Sequence, residues 1–167
     1  MIYDILDLLY LEILSRYKHV AVVGDSARAG MALGFAVHVR DQGLPQPRGI
    51  VLISPWLDVN TDNPDIARYA DKDADLDAER LRLNGLAWAG SEEATRDCRV
   101  SPIFGDLDGL GRISVFMGTC DILFPDALKL HGMLDEKGLG HDFFVAEGMP
   151  HGYPLMWPLR GERLARG

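Results

Sequence analysis

The stretch His19-Val20-Ala21-Val22-Val23-Gly24-Asp25-Ser26-Ala27-Arg28-Ala29-Gly30-Met31-Ala32-Leu33 constrains the rest of the chain. Its apolar, β-branched run reads as a buried strand and Gly24-Asp25-Ser26 as a tight turn. From Ala27 toward Val39 or Arg40 the pattern is helical. A serine on so sharp a strand-to-helix turn is held away from both elements, with its Oγ at the carboxyl end of the strand and the helix N-terminus behind it. The next backbone N–H and the helix dipole can then stabilise an oxyanion beside it. Asp and Ser are also good helix caps, so on this stretch alone an ordinary capped helix explains the turn equally well.

The remaining elements follow in order. Met1 to Tyr17 reads as an amphipathic helix with Ile5, Leu8, Leu9 and Ile13 at helical spacing. Asp41 to Pro47 is a loop, and Arg48 to Ser54 a second buried strand. Arg112 to Met117 is a third strand with Gly118 to Leu123 as its exit loop. Pro125 to Lys137 is a helix stopped by Gly138. Its inward side is expected to carry Ala127, Leu128, Leu130 and Leu134. His141 to Ala146 is a fourth strand, Glu147 to Gly152 its exit loop, and a last helix follows Pro154. Residues 55–111 form an excursion with short helices near Ile66 and over Asp77 to Ala89. It is either a partial lid or a packed crossover. The charged run Asp71 to Asp77 reads as exposed. Strands alternating with helices predict an α/β fold, with about four parallel strands, flanking helices and a helical excursion between the second and third strands.

At 167 residues the chain suits a single domain, 1–167. A formal net charge of −8 provides no basic patch for nucleic acid or anionic lipid. No apolar stretch is long enough to span a bilayer, and the apolar N-terminus carries Asp4, Asp7 and Glu12 rather than the early cations of a signal peptide. Cys98 and Cys120 lack metal spacing and read as free thiols, which points to a cytoplasmic location.

Three residues leave the carboxyl ends of three strands: Ser26, Asp121 and His151. In open α/β sheets that edge is where sites form. A serine hydroxyl needs a base, and the base needs an orienting carboxylate. Each has a plain alternative: Asp121 as a helix cap, His151 as a polar loop residue. The other histidines fit less well. His38 and His131 lie within helices, and His19 and His141 sit at strand entrances, the wrong end of the sheet. Asp126 lies a turn into its helix, and Asp25 suits a hydrogen bond within the turn.

The motifs Gly24-Asp-Ser-Ala, Ser54-Pro-Trp-Leu-Asp, Val100-Ser-Pro-Ile-Phe-Gly-Asp-Leu, Gly118-Thr-Cys-Asp-Ile-Leu and Met149-Pro-His-Gly occur in that order over nearly the whole chain. Together they resemble the hormone-sensitive-lipase-like esterases of the α/β-hydrolase fold. That resemblance implies a partial α/β-hydrolase fold and carboxylic ester hydrolysis, with Ser26 as nucleophile, His151 as general acid/base, Asp121 as its carboxylate and the Ala27 N–H in the oxyanion hole. It implies no metal and no organic cofactor. Small esters are the expected substrates.

Two departures stand out. Arg28 and Ala29 replace two glycines of the family motif, and Arg28 is expected to distort the turn or point across the pocket. The upstream His-Gly-Gly segment that supplies further oxyanion donors does not occur in these residues, and about the first half of the usual fold is expected to be missing. The first strand would then have an open edge. Pairing with a second copy, or with a separately encoded N-terminal half, is the expected consequence. The competing reading is a catalytically impaired homologue serving as a binding or interaction module.

Overall fold

The apolar run after His19 forms β1 (Ala21–Asp25), and α2 (Ala27–Asp41) starts two residues later. The structure, a computed structural model, describes residues 2–156. Ahead of β1 lies α1 (Ile2–Arg16). The other strands are β2 (Gly49–Ile53), β3 (Arg112–Cys120) and β4 (His141–Pro150). The helices α3 (Ala78–Ala89), α4 (Phe124–Glu136) and α5 (Tyr153–Met156) complete the described set, with 3-10 turns at Pro64–Arg68, Glu93–Arg96 and Pro102–Phe104. The sheet order is β1-β2-β3-β4 and every pairing is parallel. The expected four-stranded α/β layout is therefore present. The expected last helix is described only as far as Met156; its remainder lies outside the described residues.

The core joins α2, the sheet and α4. Leu33 and Ala36 of α2, Ile50 and Leu52 of β2, Val115 and Met117 of β3, and Leu130 and Leu134 of α4 are all buried in one cluster. Burying such a side chain stabilises by about 1.5–3 kcal/mol. The 55–111 excursion contributes to the same cluster through Trp56, Leu57, Val59, Ile66, Ile103 and Leu107, so both of its ends are anchored in the core. Leu83 and Trp88 of α3 face outward, whereas Gly85 lies against Val59, where a Cβ would come within 2.6 Å of the Val59 Cβ.

Three local expectations are corrected. The packed face of α1 is Tyr3, Leu6, Tyr10 and Leu14 rather than Ile5, Leu8 and Leu9, because Phe35 and His38 of α2 offer rings to Tyr3, and Phe35 meets Tyr10 edge-on. Leu8 is left 72% exposed. On α4, Leu128 is exposed rather than inward. The strands β3 and β4 run to Cys120 and Pro150, past the expected ends at Met117 and Ala146. Glycine explains that extension: a Cβ on Gly118 would lie 2.1 Å from the Met149 carbonyl oxygen, so only a bare Cα lets the strands approach there. Pairing resumes beyond a register shift with Cys120 opposite Pro150.

Among the described residues β1 is an open edge, and Val23 on it is 64% exposed. No described helix is long and apolar enough to cross a membrane.

Candidate active site

Ser26 sits between β1 and α2 with φ 53° and ψ −122°, a conformation that L-residues rarely adopt. Such strain costs about 1–3 kcal/mol and persists only where neighbours impose it. Here they do. The Ser26 N–H donates to the Ile53 carbonyl at 2.9 Å, and the Ser26 carbonyl accepts from the N–H groups of Ala29, Gly30 and Trp56 at 3.0, 3.2 and 3.1 Å. The turn also depends on missing side chains. A Cβ on Gly24 would lie 2.3 Å from the Arg28 carbonyl oxygen, and one on Gly30 would lie 2.1 Å from that of Trp56. The Ser26 side chain makes no cap hydrogen bond to the helix, which removes the capping alternative. Ala27 is the first helical residue, so its N–H has no partner one turn back within α2 and belongs to the helix's positive end.

The register beyond the β3–β4 shift brings the next two candidates together. With Cys120 opposite Pro150, Asp121 and His151 are the residues that immediately follow. His151 Nδ1 lies 2.9 Å from Asp121 Oδ2. A carboxylate can only accept, so Nδ1 carries the hydrogen and a neutral His151 keeps its lone pair on Nε2. Asp121 is fully buried and its Oδ1 accepts from the Leu123 N–H at 2.9 Å. Both oxygens are thus engaged, which fixes the carboxylate plane and through it the imidazole.

Burial alone would lower the pKa of His151. The hydrogen bond and charge of Asp121, joined by the charges of Asp73 and Asp75, outweigh that and raise it above the ordinary 6.5. Asp73 belongs to the charged run expected to be exposed. It is instead partly buried, and its carboxylate accepts from the N–H groups of Asp75 and Leu76 at 2.9 Å and of Ile122 at 2.8 Å. It pins the backbone next to Asp121. Ser54, which opens one of the motifs but had no role assigned, is fully buried, has φ 45°, and its Oγ accepts from the Gly152 N–H at 2.9 Å. For Asp73 the sequence offered only its place in a charged run; for Ser54 it offered the end of a strand and the motif Ser54-Pro-Trp-Leu-Asp.

Arg28 does not crowd the turn. Its side chain is 77% exposed and pairs with Asp25 at 3.0 Å, the local contact expected for Asp25. Asp126 is buried and accepts from the Asn63 side-chain amide at 2.9 Å. His38 pairs with Asp7 at 3.0 Å, and His131 and His141 contact each other at the opposite edge of the sheet. Beside Ala27 lies a cavity of about 150 Å³ lined mainly by apolar groups, among them Met31, Trp56, Val59 and Trp88, with Arg99 also on its wall. Cys98 and Cys120 are free thiols.

Residues 10–155 match a protein family described as the alpha/beta hydrolase fold. A triacylglycerol lipase of Mycobacterium tuberculosis is 35% identical over 141 residues, which cover 84% of this chain and 28% of the relative. An esterase of Acinetobacter venetianus is 28% identical over 138 residues, covering 83% of this chain and 46% of the relative. The chain therefore spans less than half the length of these curated relatives. Among solved structures, an esterase from the bacterial hormone-sensitive lipase family superposes with a TM-score of 0.79 at 28% identity, covering 84% of this chain and 47% of that one. An esterase/lipase from an uncultured bacterium superposes with a TM-score of 0.82 at 26% identity, covering 91% and 52%. The chain belongs to the α/β-hydrolase family, and within it is similar to the hormone-sensitive-lipase-like esterases.

Proposed function

We propose that this chain hydrolyses carboxylic esters through a serine acyl-enzyme. The observation that carries the reading is the Asp121–His151 hydrogen bond, its carboxylate fully buried, at the same carboxyl end of the sheet as the strained Ser26 turn. In this mechanism His151 Nε2 takes the Ser26 proton as Oγ attacks the ester carbonyl. The imidazolium then gives that proton to the departing alcohol. A water deprotonated by His151 attacks the acyl-enzyme, and Ser26 recovers its proton as the acid leaves. The Ala27 N–H is the oxyanion donor. The cavity beside Ala27 suits a short apolar arm of the substrate, which supports small esters as the substrate class.

No His-Gly-Gly sequence occurs in these 167 residues. Loss of one oxyanion donor costs on the order of 10²–10³ in turnover, so slow hydrolysis by the isolated chain is part of the reading. The edge of β1 that is open among the described residues, with Val23 exposed on it, supports pairing with a second copy of the chain. The two free thiols support a reducing, cytoplasmic setting.

Intact-mass spectrometry after exposure to a fluorophosphonate tests the chemistry without a known substrate. A single adduct on the wild type, lost in Ser26→Ala and His151→Ala, is the expected result. A folded protein that takes no adduct would sink the proposal and leave the interaction module. Light scattering at high concentration tests the pairing, and a clean monomer counts against the second copy.

A further inference from the structure

At the end of the sheet opposite Ser26, α4 and β4 bring together two imidazoles and a carboxylate: His131, Asp135 and His141. The donor atoms, one from each residue, all lie within 4.8 Å of one another. His141, the first residue of β4, has a side chain only 7% exposed. Its Nδ1 is 2.8 Å from the Leu139 carbonyl oxygen. A carbonyl only accepts, so Nδ1 carries the hydrogen and Nε2 presents its lone pair. A backbone carbonyl that fixes the tautomer in this way is the usual orienting partner of a metal-bound histidine.

That Nε2 lies 2.6 Å from Nδ1 of His131. If His131 Nδ1 donates to it, the neutral His131 turns its Nε2 lone pair toward Asp135, whose Oδ2 is 3.6 Å away. Two neutral imidazoles and a carboxylate thus hold one lone pair too many. A single cation resolves the mismatch. The ring of His131 lies flat against Phe143, with centroids 4.6 Å apart and planes 4° apart. His131 and Asp135 are one helical turn apart on α4 and share a face.

We propose that His131 Nδ1, His141 Nε2 and the Asp135 carboxylate bind one divalent transition-metal ion of the zinc type. Two imidazole nitrogens and a carboxylate suit that class, and water completes a four-coordinate shell. Tetrahedral zinc with bonds of about 2.0–2.1 Å needs the nitrogens about 3.3 Å apart, which a small rotation of the partly exposed His131 supplies. The ion would staple the end of α4 to the start of β4 across the Lys137–Gly140 turn. The strand it secures is the one that ends beside His151. This site is independent of the serine chemistry, and it neither needs nor supports the ester-hydrolase reading.

The test uses the full chain, free of any histidine tag and stripped with a chelator, titrated with Zn²⁺ against a competing chromophoric chelator. One equivalent should bind and raise the melting temperature. His131→Ala should abolish that equivalent and the thermal shift. Asp135→Asn should weaken binding by more than the roughly 10–100-fold lost with an outer-shell partner. His19→Ala serves as the control and should leave binding unchanged. Circular dichroism without zinc should match the wild type in both variants, and each variant's own metal-free melting temperature is the baseline for its zinc shift. Histidine ¹⁵N spectra should show zinc on Nε2 of His141 and Nδ1 of His131. Absence of the bound equivalent, or an equivalent that survives His131→Ala, overturns the proposal. The pair would then share a proton instead.

Discussion

The N–H of Gly152 donates to the buried Oγ of Ser54 at 2.9 Å, which ties the residue after the catalytic-base candidate to the end of β2. Ile53 and Trp56, on either side of Ser54, are bonded to the N–H and carbonyl of Ser26. One short segment therefore holds both the Ser26 turn and the His151 loop, although β1 and β4 lie at opposite edges of the sheet. Ser54→Ala removes an acceptor worth about 0.5–1.5 kcal/mol and leaves the Gly152 N–H with a lost partner. Fluorophosphonate labelling well below the melting temperature should slow by up to roughly tenfold, since about 1.4 kcal/mol corresponds to that factor. A drop in melting temperature with an unchanged labelling rate would reduce Ser54 to a structural role.

In the proposed mechanism His151 must be neutral to accept the Ser26 proton. Its pKa is raised, so the acid limb of kcat/KM on a short-chain ester should fall above the ordinary 6.5. Asp73→Asn removes one of the anions responsible and should move that limb to lower pH. The same shift has a stability counterpart. A histidine whose folded pKa lies above its unfolded value stabilises fully below about 6.5, and that contribution is lost as pH climbs through the folded value. His151→Ala should therefore destabilise more at pH 5.5 than at pH 9, as read by thermal melts across that range.

Much of this was legible in the sequence, for identifiable reasons. Gly24-Asp25-Ser26 is a local signal, because a strained turn needs bare neighbours within four residues. The parallel α/β order was legible because β-branched runs alternate with helical spacing. The face of α1 was not, since apolar residues surround that helix and only the rings of α2 decide which ones pack. Nor was the length of β3 and β4: Gly118 and Gly148 looked like loop residues, and what extends the strands is an approach of Gly118 to Met149 from a distant part of the chain. Asp73 and Ser54 were hidden for the same reason. Their partners, Ile122 and Gly152, are far away in sequence.

Arg28 occupies the second position of α2, pairs with Asp25 and stands outside the turn. Arg28→Gly should cost stability, because glycine near the start of a helix is up to about 1 kcal/mol worse and an exposed ion pair contributes at most about 1 kcal/mol. The labelling rate should stay at the wild-type value. A faster variant would mean that Arg28 burdens the site after all, as the sequence alone suggested.

Asp126 is the clearest buried liability in the fold. It is 2% exposed, Asn63 satisfies its Oδ1, and its Oδ2 has no partner among the described residues. Burial raises its pKa most, the Asn63 hydrogen bond offsets part of that, and the charge of Asp58 pushes it up again. For a carboxyl group whose folded pKa lies above the unfolded value, the sign is the reverse of the usual acidic case. The fold is not penalised below the ordinary 3.8, and the penalty develops as pH rises and the unfolded chain ionises more readily. Asp126→Asn keeps the shape and a carbonyl for the Asn63 amide while removing the buried charge. It should raise the melting temperature at pH 7 and lose that advantage near pH 3.5. A variant less stable than the wild type at pH 7 would show that the ionised carboxylate is held by compensating contacts.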